Sequence, residues 1–288
     1  MSSDYLVLGG SGFVGSELVG HFSCPGTSFS GREGFLRCDA TDTKDIRKVL
    51  DDLRPGFIIN SVGLADVDMA ETNPGLAALL NEETVKNIMA LKKTFKFKFL
   101  HISTDYVFEG TKGNYSETDR TNPVNVYGIT KLAGEQRALE DSDSIIARIS
   151  TPFGRGQGST KKQFFRFVYE RLKEGKEVNA VNDQFVTSTY LPDLANAADR
   201  LFERDASGIF HIGGPDRLSR YEFAREVAET AGFDGDLVKP ISSEEMKQWK
   251  ARRPRDTSLS LEKSLAFGLK YTRTADALKE LISPDSRR

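Results

Sequence analysis

Along the first half of the chain, short apolar runs alternate with stretches whose apolar positions recur every three to four residues. The pattern predicts strands at Tyr5–Leu8, Thr27–Ser30, Phe57–Asn60, Phe97–Ile102 and Ser144–Ile149, with helices at about 13–22, 42–53, 75–94 and 128–140 between them. Strands buried on both faces and joined by helical crossovers imply a parallel sheet, and right-handed crossovers make it an α/β, Rossmann-type doubly wound fold. After Arg148 the rhythm changes. Phe153-Gly154-Arg155-Gly156-Gln157-Gly158 reads as a loop, followed by an amphipathic helix that carries Phe164, Phe165, Val168 and Leu172 beside Lys161, Lys162, Arg166, Arg171 and Lys173. Further helices are predicted at Leu191–Phe202, Tyr221–Ala231 and about Thr274–Ile282, with a strand at Gly208–Ile212. The predicted organisation is a dinucleotide-binding domain over 1–152, with later returns near 190–212, and a smaller, interleaved substrate lobe mainly over 153–288.

Composition narrows the function classes. Of 288 residues, 38% are hydrophobic and 28% charged, with 25 Gly and 10 Pro, which excludes low-complexity disorder and collagen. Forty basic residues against 42 acidic ones leave a net charge of −2, so no global field draws in nucleic acid or an anionic membrane, and an anionic ligand needs a local basic site. No apolar run approaches the roughly 18 residues of a membrane span. Asp4 stands where a signal peptide carries cations, so no export signal is expected and a cytoplasmic location is. Cys24 and Cys38 lie outside any CxxC spacing and read as packing; His21, His101 and His211 are isolated, so no metal site is expected.

Leu6-Val7-Leu8-Gly9-Gly10-Ser11-Gly12-Phe13-Val14-Gly15 sets a strand, a G-x-x-G-x-x-G turn and a helix in succession. Gly9 permits the turn, Gly12 lets backbone N–H groups approach a pyrophosphate, and Gly15 lets the helix lie close on the strand, while the helix N-terminus favours negative charge. The second strand ends near Ser30-Gly31-Arg32, where an NAD site would offer a carboxylate to the ribose 2′-hydroxyl. Arg32 suits a 2′-phosphate instead, which favours NADP with NAD as the alternative. Asp39, in Cys38-Asp39-Ala40-Thr41-Asp42, offers either an acceptor for the adenine amino group or a helix cap.

Tyr127 and Lys131 stand four residues apart, on one face of a helix. A neighbouring ammonium would favour the phenolate and bring a pKa of about 10 toward the working range, and the same lysine could bond a nicotinamide ribose. Thr104, at the end of the Phe97 strand, lies where open α/β sheets collect their ligands. Its hydroxyl could meet a substrate carbonyl oxygen beside Tyr127, or cap the turn.

These segments, together with Asn60-Ser61-Val62-Gly63, Asp66 through Asn81, Ser103-Thr104-Asp105-Tyr106-Val107-Phe108-Glu109-Gly110, Asn125 through Glu135, Asn182-Asp183-Gln184-Phe185 and Arg253-Pro254-Arg255, span nearly the whole chain. The chain resembles the extended short-chain dehydrogenases/reductases and, among them, the dTDP-4-dehydrorhamnose reductases. The resemblance implies a catalytic triad of Thr104, Tyr127 and Lys131. It also implies a cofactor cleft touched by Gly9, Gly12, Phe13, Val14, Gly15, Arg32, Asp39, Ala40, Val62 and Gly63, a substrate site that includes Phe108, and a homodimer.

Three segments depart from that family's pattern, all on the substrate side. Arg148-Ile149-Ser150-Thr151 replaces Arg-x-Ser-Trp, so an aromatic wall for the sugar is missing; Asp183-Gln184-Phe185-Val186-Thr187-Ser188-Thr189 lacks the Gly and Pro of Asp-Gln-x-Gly-x-Pro-Thr; Arg253-Pro254-Arg255-Asp256-Thr257 replaces Arg-Pro-x-Asn-Ser. The cluster Lys247, Lys250, Arg252, Arg253 and Arg255 is the densest basic segment, and Arg253 and Arg255 are candidates for a nucleotide-sugar diphosphate. The expected function is NADP-dependent reduction of a 4-keto nucleotide-linked deoxysugar. The alternatives are a sugar-nucleotide epimerase and a non-catalytic NADP-binding subunit resembling that of methionine adenosyltransferase; a 4,6-dehydratase would carry Asp-Glu after the threonine, where this chain has Asp105-Tyr106.

Overall fold

Leu6, Val7 and Leu8 have no exposed surface, as strands of a parallel sheet covered on both faces require. In the computed structural model, which describes residues 4–158 and 163–283, the elements in chain order are β1 (Tyr5–Leu8), α1 (Phe13–Phe22), β2 (Thr27–Ser28), β3 (Leu36–Arg37), α2 (Thr43–Leu53), β4 (Phe57–Asn60), α3 (Val67–Thr72), α4 (Pro74–Ala78), a π-helical turn (Leu79–Glu83), α5 (Thr84–Phe95), β5 (Lys98–Thr104), α6 (Val126–Leu139) and β6 (Ile145–Ile149). Then follow α7 (Phe164–Lys173), β7 (Val178–Val181), β8 (Phe185–Val186), α8 (Leu191–Glu203), β9 (Gly208–Ile212), β10 (Leu218–Ser219), α9 (Arg220–Ala231), β11 (Val238–Ile241), α10 (Glu262–Ala266) and α11 (Thr274–Ile282). Lys161 and Lys162 lie outside the described residues.

The main sheet runs β1-β4-β5-β6-β9, all parallel. β2 joins β1 through a bridge at Val7 and Gly26 and pairs with β3, so the strand order reverses between β1 and β4. That reversal opens the crevice in which doubly wound sheets hold dinucleotides. α1 and α8 pack on one face through Leu18, Leu191, Leu194 and Leu201, while α2 and α5 cover the other with Ile46, Leu50, Ile88 and Leu91. A separate core, built from Val168, Leu172, Val178, Phe223 and Leu278, joins α7, α9 and α11 to the β7–β11 pair.

The predicted helix over 75–94 is divided in three by a π turn, Leu79–Glu83. The hydroxyl of Thr84 donates to the Leu79 carbonyl five residues back (3.1 Å), and the widened turn swings Asn81 fully inward. There its Oδ1 accepts from Leu64 N (2.8 Å) and its Nδ2 donates to Thr130 Oγ1 (2.9 Å), which ties the turn after β4 to α6. The segment 253–260 runs extended between two loops, held by Phe185 N to Arg255 O (2.7 Å), Asp256 N to Gly110 O (3.0 Å) and Tyr115 N to Ser258 O (2.9 Å). Among the described residues no helix is long and apolar enough to cross a membrane. Both cysteines are buried, and burial pushes Cys24 up to about 11 and Cys38 up to about 12, so neither is a ready nucleophile.

Candidate active site

The glycine turn lies at the C-terminal end of β1. Gly9 has φ +76°, a left-handed backbone that a side chain resists, and a Cβ at Gly15 would stand 2.2 Å from Gly9 O and 2.7 Å from Ser61 Oγ. A Cβ at Gly12 would meet only Gly9 O, at 3.3 Å, so that face is open to a ligand rather than to protein. No side chain caps α1 and its first turn holds no carboxylate, which leaves its N–H groups to an anion. Phe13 and Val14 are half-buried there. Exposed Arg32 reaches across the turn, its Nη1 3.4 Å from Ser11 O. The loop after β6 also crosses the turn, Gln157 N donating to Ser16 Oγ at 2.7 Å. Gly63 is exposed, with Val62 beside it, and a Cβ on Gly63 would lie 3.8 Å from Lys131 Nζ. Open backbone donors, a nearby guanidinium and an adjoining lysine fit a phosphorylated dinucleotide. Asp39 is engaged locally: its Oδ1 accepts from Thr41 N (2.9 Å) and Thr41 Oγ1 (2.7 Å), with Ala40 buried between, while Asp42 caps α2.

Thr104 ends β5, buried. Its Oγ1 accepts from Tyr106 N (3.2 Å) and donates to Asp105 Oδ1 (3.1 Å), so the hydroxyl caps the turn, and it lies near enough to the Tyr127 phenol to act on its ionisation. Asn125 starts α6 by accepting from Gly128 N (2.9 Å), which sets half-buried Tyr127 at the mouth of the crevice. Burial pushes the Tyr127 phenol far above its ordinary range; the Thr104 hydroxyl opposes this, and Asp105 and Tyr106 add to it. The phenol is therefore protonated at neutral pH.

Lys131 differs from the sequence expectation of a lysine that lowers the phenol's pKa. Its Nζ donates to Ile102 O (2.6 Å) and lies 3.3 Å from His101 Nε2, both groups buried. Val62 N donates to Asn60 Oδ1 (3.1 Å), which turns the amide's NH₂ toward His101 Nδ1, also 3.1 Å away. A neutral imidazole accepting there carries its proton on Nε2, facing Lys131. Lys131 Nζ can accept from that N–H only as the neutral amine, the minority form below about pH 8. Burial brings Lys131 down to about 8, against the raising effect of Glu135, and holds His101 well below its ordinary value, with the Lys131 charge adding to the effect. The unfolded chain thus binds more protons than the fold between about pH 8 and 10.5, so the Lys131 contribution to stability rises with pH across that window. Lys131→Met is expected to be more stable than the parent at pH 7, with an advantage that shrinks toward pH 10; urea melts at the two pH values measure it.

Next to Thr104, Ser103 donates to Glu135, whose carboxylate takes Arg148 in a two-point pair, Nε to Oε1 2.9 Å and Nη2 to Oε2 2.7 Å. Both charges are about 2% exposed or less. Phe108, expected at the substrate, is instead wholly buried beneath this pair: its ring stacks on Tyr115 (4.3 Å) and lies under the Arg148 guanidinium (5.1 Å). Arg253 pairs with Asp68 of α3 (2.9 Å), donates to Ala251 O (3.1 Å) and stacks over Trp249, so part of its guanidinium is taken up in fixing the loop. Exposed Arg255 and Arg253, with Arg217, Arg252, Asp183 and Asp256, line a cavity of about 610 Å³.

Sequence reasoning passed over Arg220, the first residue of α9, which donates to Thr151 Oγ1 (3.5 Å) and lies over the Phe164 ring (4.9 Å). The one sequence signal was the missing tryptophan at Thr151.

The chain is 32% identical over 265 residues to dTDP-4-keto-6-deoxy-D-glucose reductase of Streptomyces niveus, covering 90% of this chain and 89% of that protein. It is 25% identical over 277 residues to methionine adenosyltransferase 2 subunit beta of Bos taurus, covering 92% of this chain and 82% of that one. The structure of dTDP-4-dehydrorhamnose reductase from Bacillus anthracis in complex with NADP superposes with a TM-score of 0.88 at 26% identity, over 98% of this chain and 99% of that chain. The model of the RmlD substrate binding domain matches residues 3–286, and the chain belongs to that family.

Proposed function

We propose that this protein is an NADP-dependent reductase of a 4-keto group on a nucleotide-linked deoxysugar, with Thr104, Tyr127 and Lys131 as its catalytic residues. The observation that carries the reading is the meeting of Thr104, at the C-terminal end of β5, with Tyr127 and Lys131 of α6, whose Nζ donates to Ile102 O (2.6 Å), beside the β1/β4 crevice. Bound NADPH supplies the hydride. Tyr127 gives its proton to the carbonyl oxygen as that oxygen gains negative charge, and Thr104 steadies the same oxygen with a hydrogen bond that strengthens as the charge grows. Lys131, 3.8 Å from where a Gly63 side chain would begin, is placed to orient the nicotinamide ribose. In this reading, residues 1–152 with the returning α8 and β9 hold the cofactor, and most of 153–288 holds the substrate, with Arg255 at the outer cavity. Incubation of the protein with NADPH and a panel of nucleotide-linked 4-keto sugars, followed by product identification, tests it.

Arg32 would discriminate between cofactors, because a guanidinium rewards the 2′-phosphate that NADH lacks. Arg32→Ala is expected to weaken NADPH by about 1.5–3 kcal/mol, the range for a charge-assisted bond, and to leave NADH almost unchanged in a fluorescence titration. A second reading, a cofactor-binding regulatory subunit, is favoured by one observation: the substrate-side departure at Thr151 leaves the cofactor side intact.

A further inference from the structure

Thr151 has φ +37°, a left-handed conformation that is costly for a β-branched residue and that occurs at functional sites more than elsewhere. Its hydroxyl accepts from Arg220. The residue before it, Ser150, donates to Asp105 (2.8 Å), the neighbour of Thr104, so the strained position is tied to the catalytic end of β5. Arg220 faces the same cleft. Among the charges that act on the Tyr106 phenol, that of Arg220 is the foremost, and the Tyr106 ring meets the Tyr127 ring edge-on at 5.8 Å.

Three other arginines already hold counter-charges. Arg253 is paired with Asp68, Arg217 with Asp256 and Arg148 with Glu135. Arg220 is half-buried over Phe164 and, among the described residues, has no carboxylate within ion-pair distance. Nor does its position favour the fold, since a cation in the first turn of a helix faces the positive end of the dipole. A half-buried guanidinium without a counter-charge, in an unfavourable place for stability and bonded to a strained threonine, is arranged for an anion that arrives from outside.

We propose that Arg220 is a substrate-binding residue: with Thr151 it replaces the aromatic wall of the cleft by a cationic one and takes a diphosphate oxygen of the nucleotide sugar. This inference rests on the nucleotide-sugar reading above, so the test separates the two. With the protein saturated in NADPH, the affinities of dTDP, UDP and GDP are measured by calorimetry for the parent, Arg220→Ala and Arg220→Lys, beside thymidine as the phosphate-free control. The diphosphate that binds the parent is expected to lose about tenfold to a hundredfold in Arg220→Ala, as for a charge-assisted bond, with part of the loss recovered in Arg220→Lys. NADPH affinity and thermal midpoint should stay those of the parent, which separates the effect from misfolding. Unchanged diphosphate affinity in Arg220→Ala overturns the assignment of Arg220 alone. An equal loss of thymidine affinity in Arg220→Ala assigns the guanidinium to the nucleoside rather than to the diphosphate and also overturns it. If no diphosphate binds the parent at millimolar concentration, the nucleotide-sugar reading falls, and this inference with it.

Discussion

Tyr127→Phe is expected to lower kcat by roughly 10² to 10⁴, the usual contribution of a positioned general acid, while leaving NADPH affinity at the parent's value. The separation follows from where the groups sit. The phenol lies beside Thr104, at the reacting end of the strands, whereas the backbone donors of the glycine turn and Arg32 lie across the crevice. Because burial holds the phenol protonated, the parent's activity in the reducing direction should not fall with rising pH on account of Tyr127 anywhere in the neutral range. Single-turnover reduction compared with NADPH titration of the same preparation distinguishes a lost chemical step from lost binding. Retention of full turnover in Tyr127→Phe would assign the proton to another group.

Arg148→Met should be the most destabilising single change discussed here, by about 3–5 kcal/mol, the cost of leaving a buried charge without its partner. Glu135 is enclosed between Ser103 and Arg148 and would have to take up a proton or draw in water once the guanidinium is gone. The double variant Arg148→Met, Glu135→Leu should recover most of the loss, since an apolar replacement of a whole buried pair is often neutral. Urea unfolding of the parent, the single and the double variant measures both statements. The pair also underlies Thr104 through its neighbour Ser103, so the single variant should lose activity faster than it loses cofactor affinity.

The parts of the fold that were legible are those dictated by short-range pattern. β1, α1, β4, β9 and α11 begin and end where the apolar runs and their turn residues put them, because each is a buried strand or an amphipathic helix with a sharp boundary. The helix over 75–94 misled because the π turn depends on Asn81 bonding Leu64 and Thr130, partners that no local pattern reveals. β8 and β10 are two residues each, too short to show alternation. In the site, the glycine turn, Thr104, Tyr127 and Lys131 were recognisable because each stands at the end of a strand or on one face of a helix. Phe108 was misread because its partners are distant: Tyr115 and Arg148 enclose it, and the pairing of Arg253 with Asp68 was likewise out of reach of a local pattern. Arg220 carries no motif of its own, and its meaning appears only when α9 brings it against Thr151.

Whether Tyr127 and Thr104 act on a ketone of a nucleotide-linked sugar is tested most directly by NADPH consumption, followed by its absorbance, with a dTDP-linked 4-keto-6-deoxy sugar as substrate and the product identified by mass and sugar configuration. One NADPH should be consumed for each 4-hydroxy sugar formed, with the rate lost in Tyr127→Phe. NADPH that binds yet is not consumed with dTDP-, UDP- or GDP-linked 4-keto sugars would contradict it.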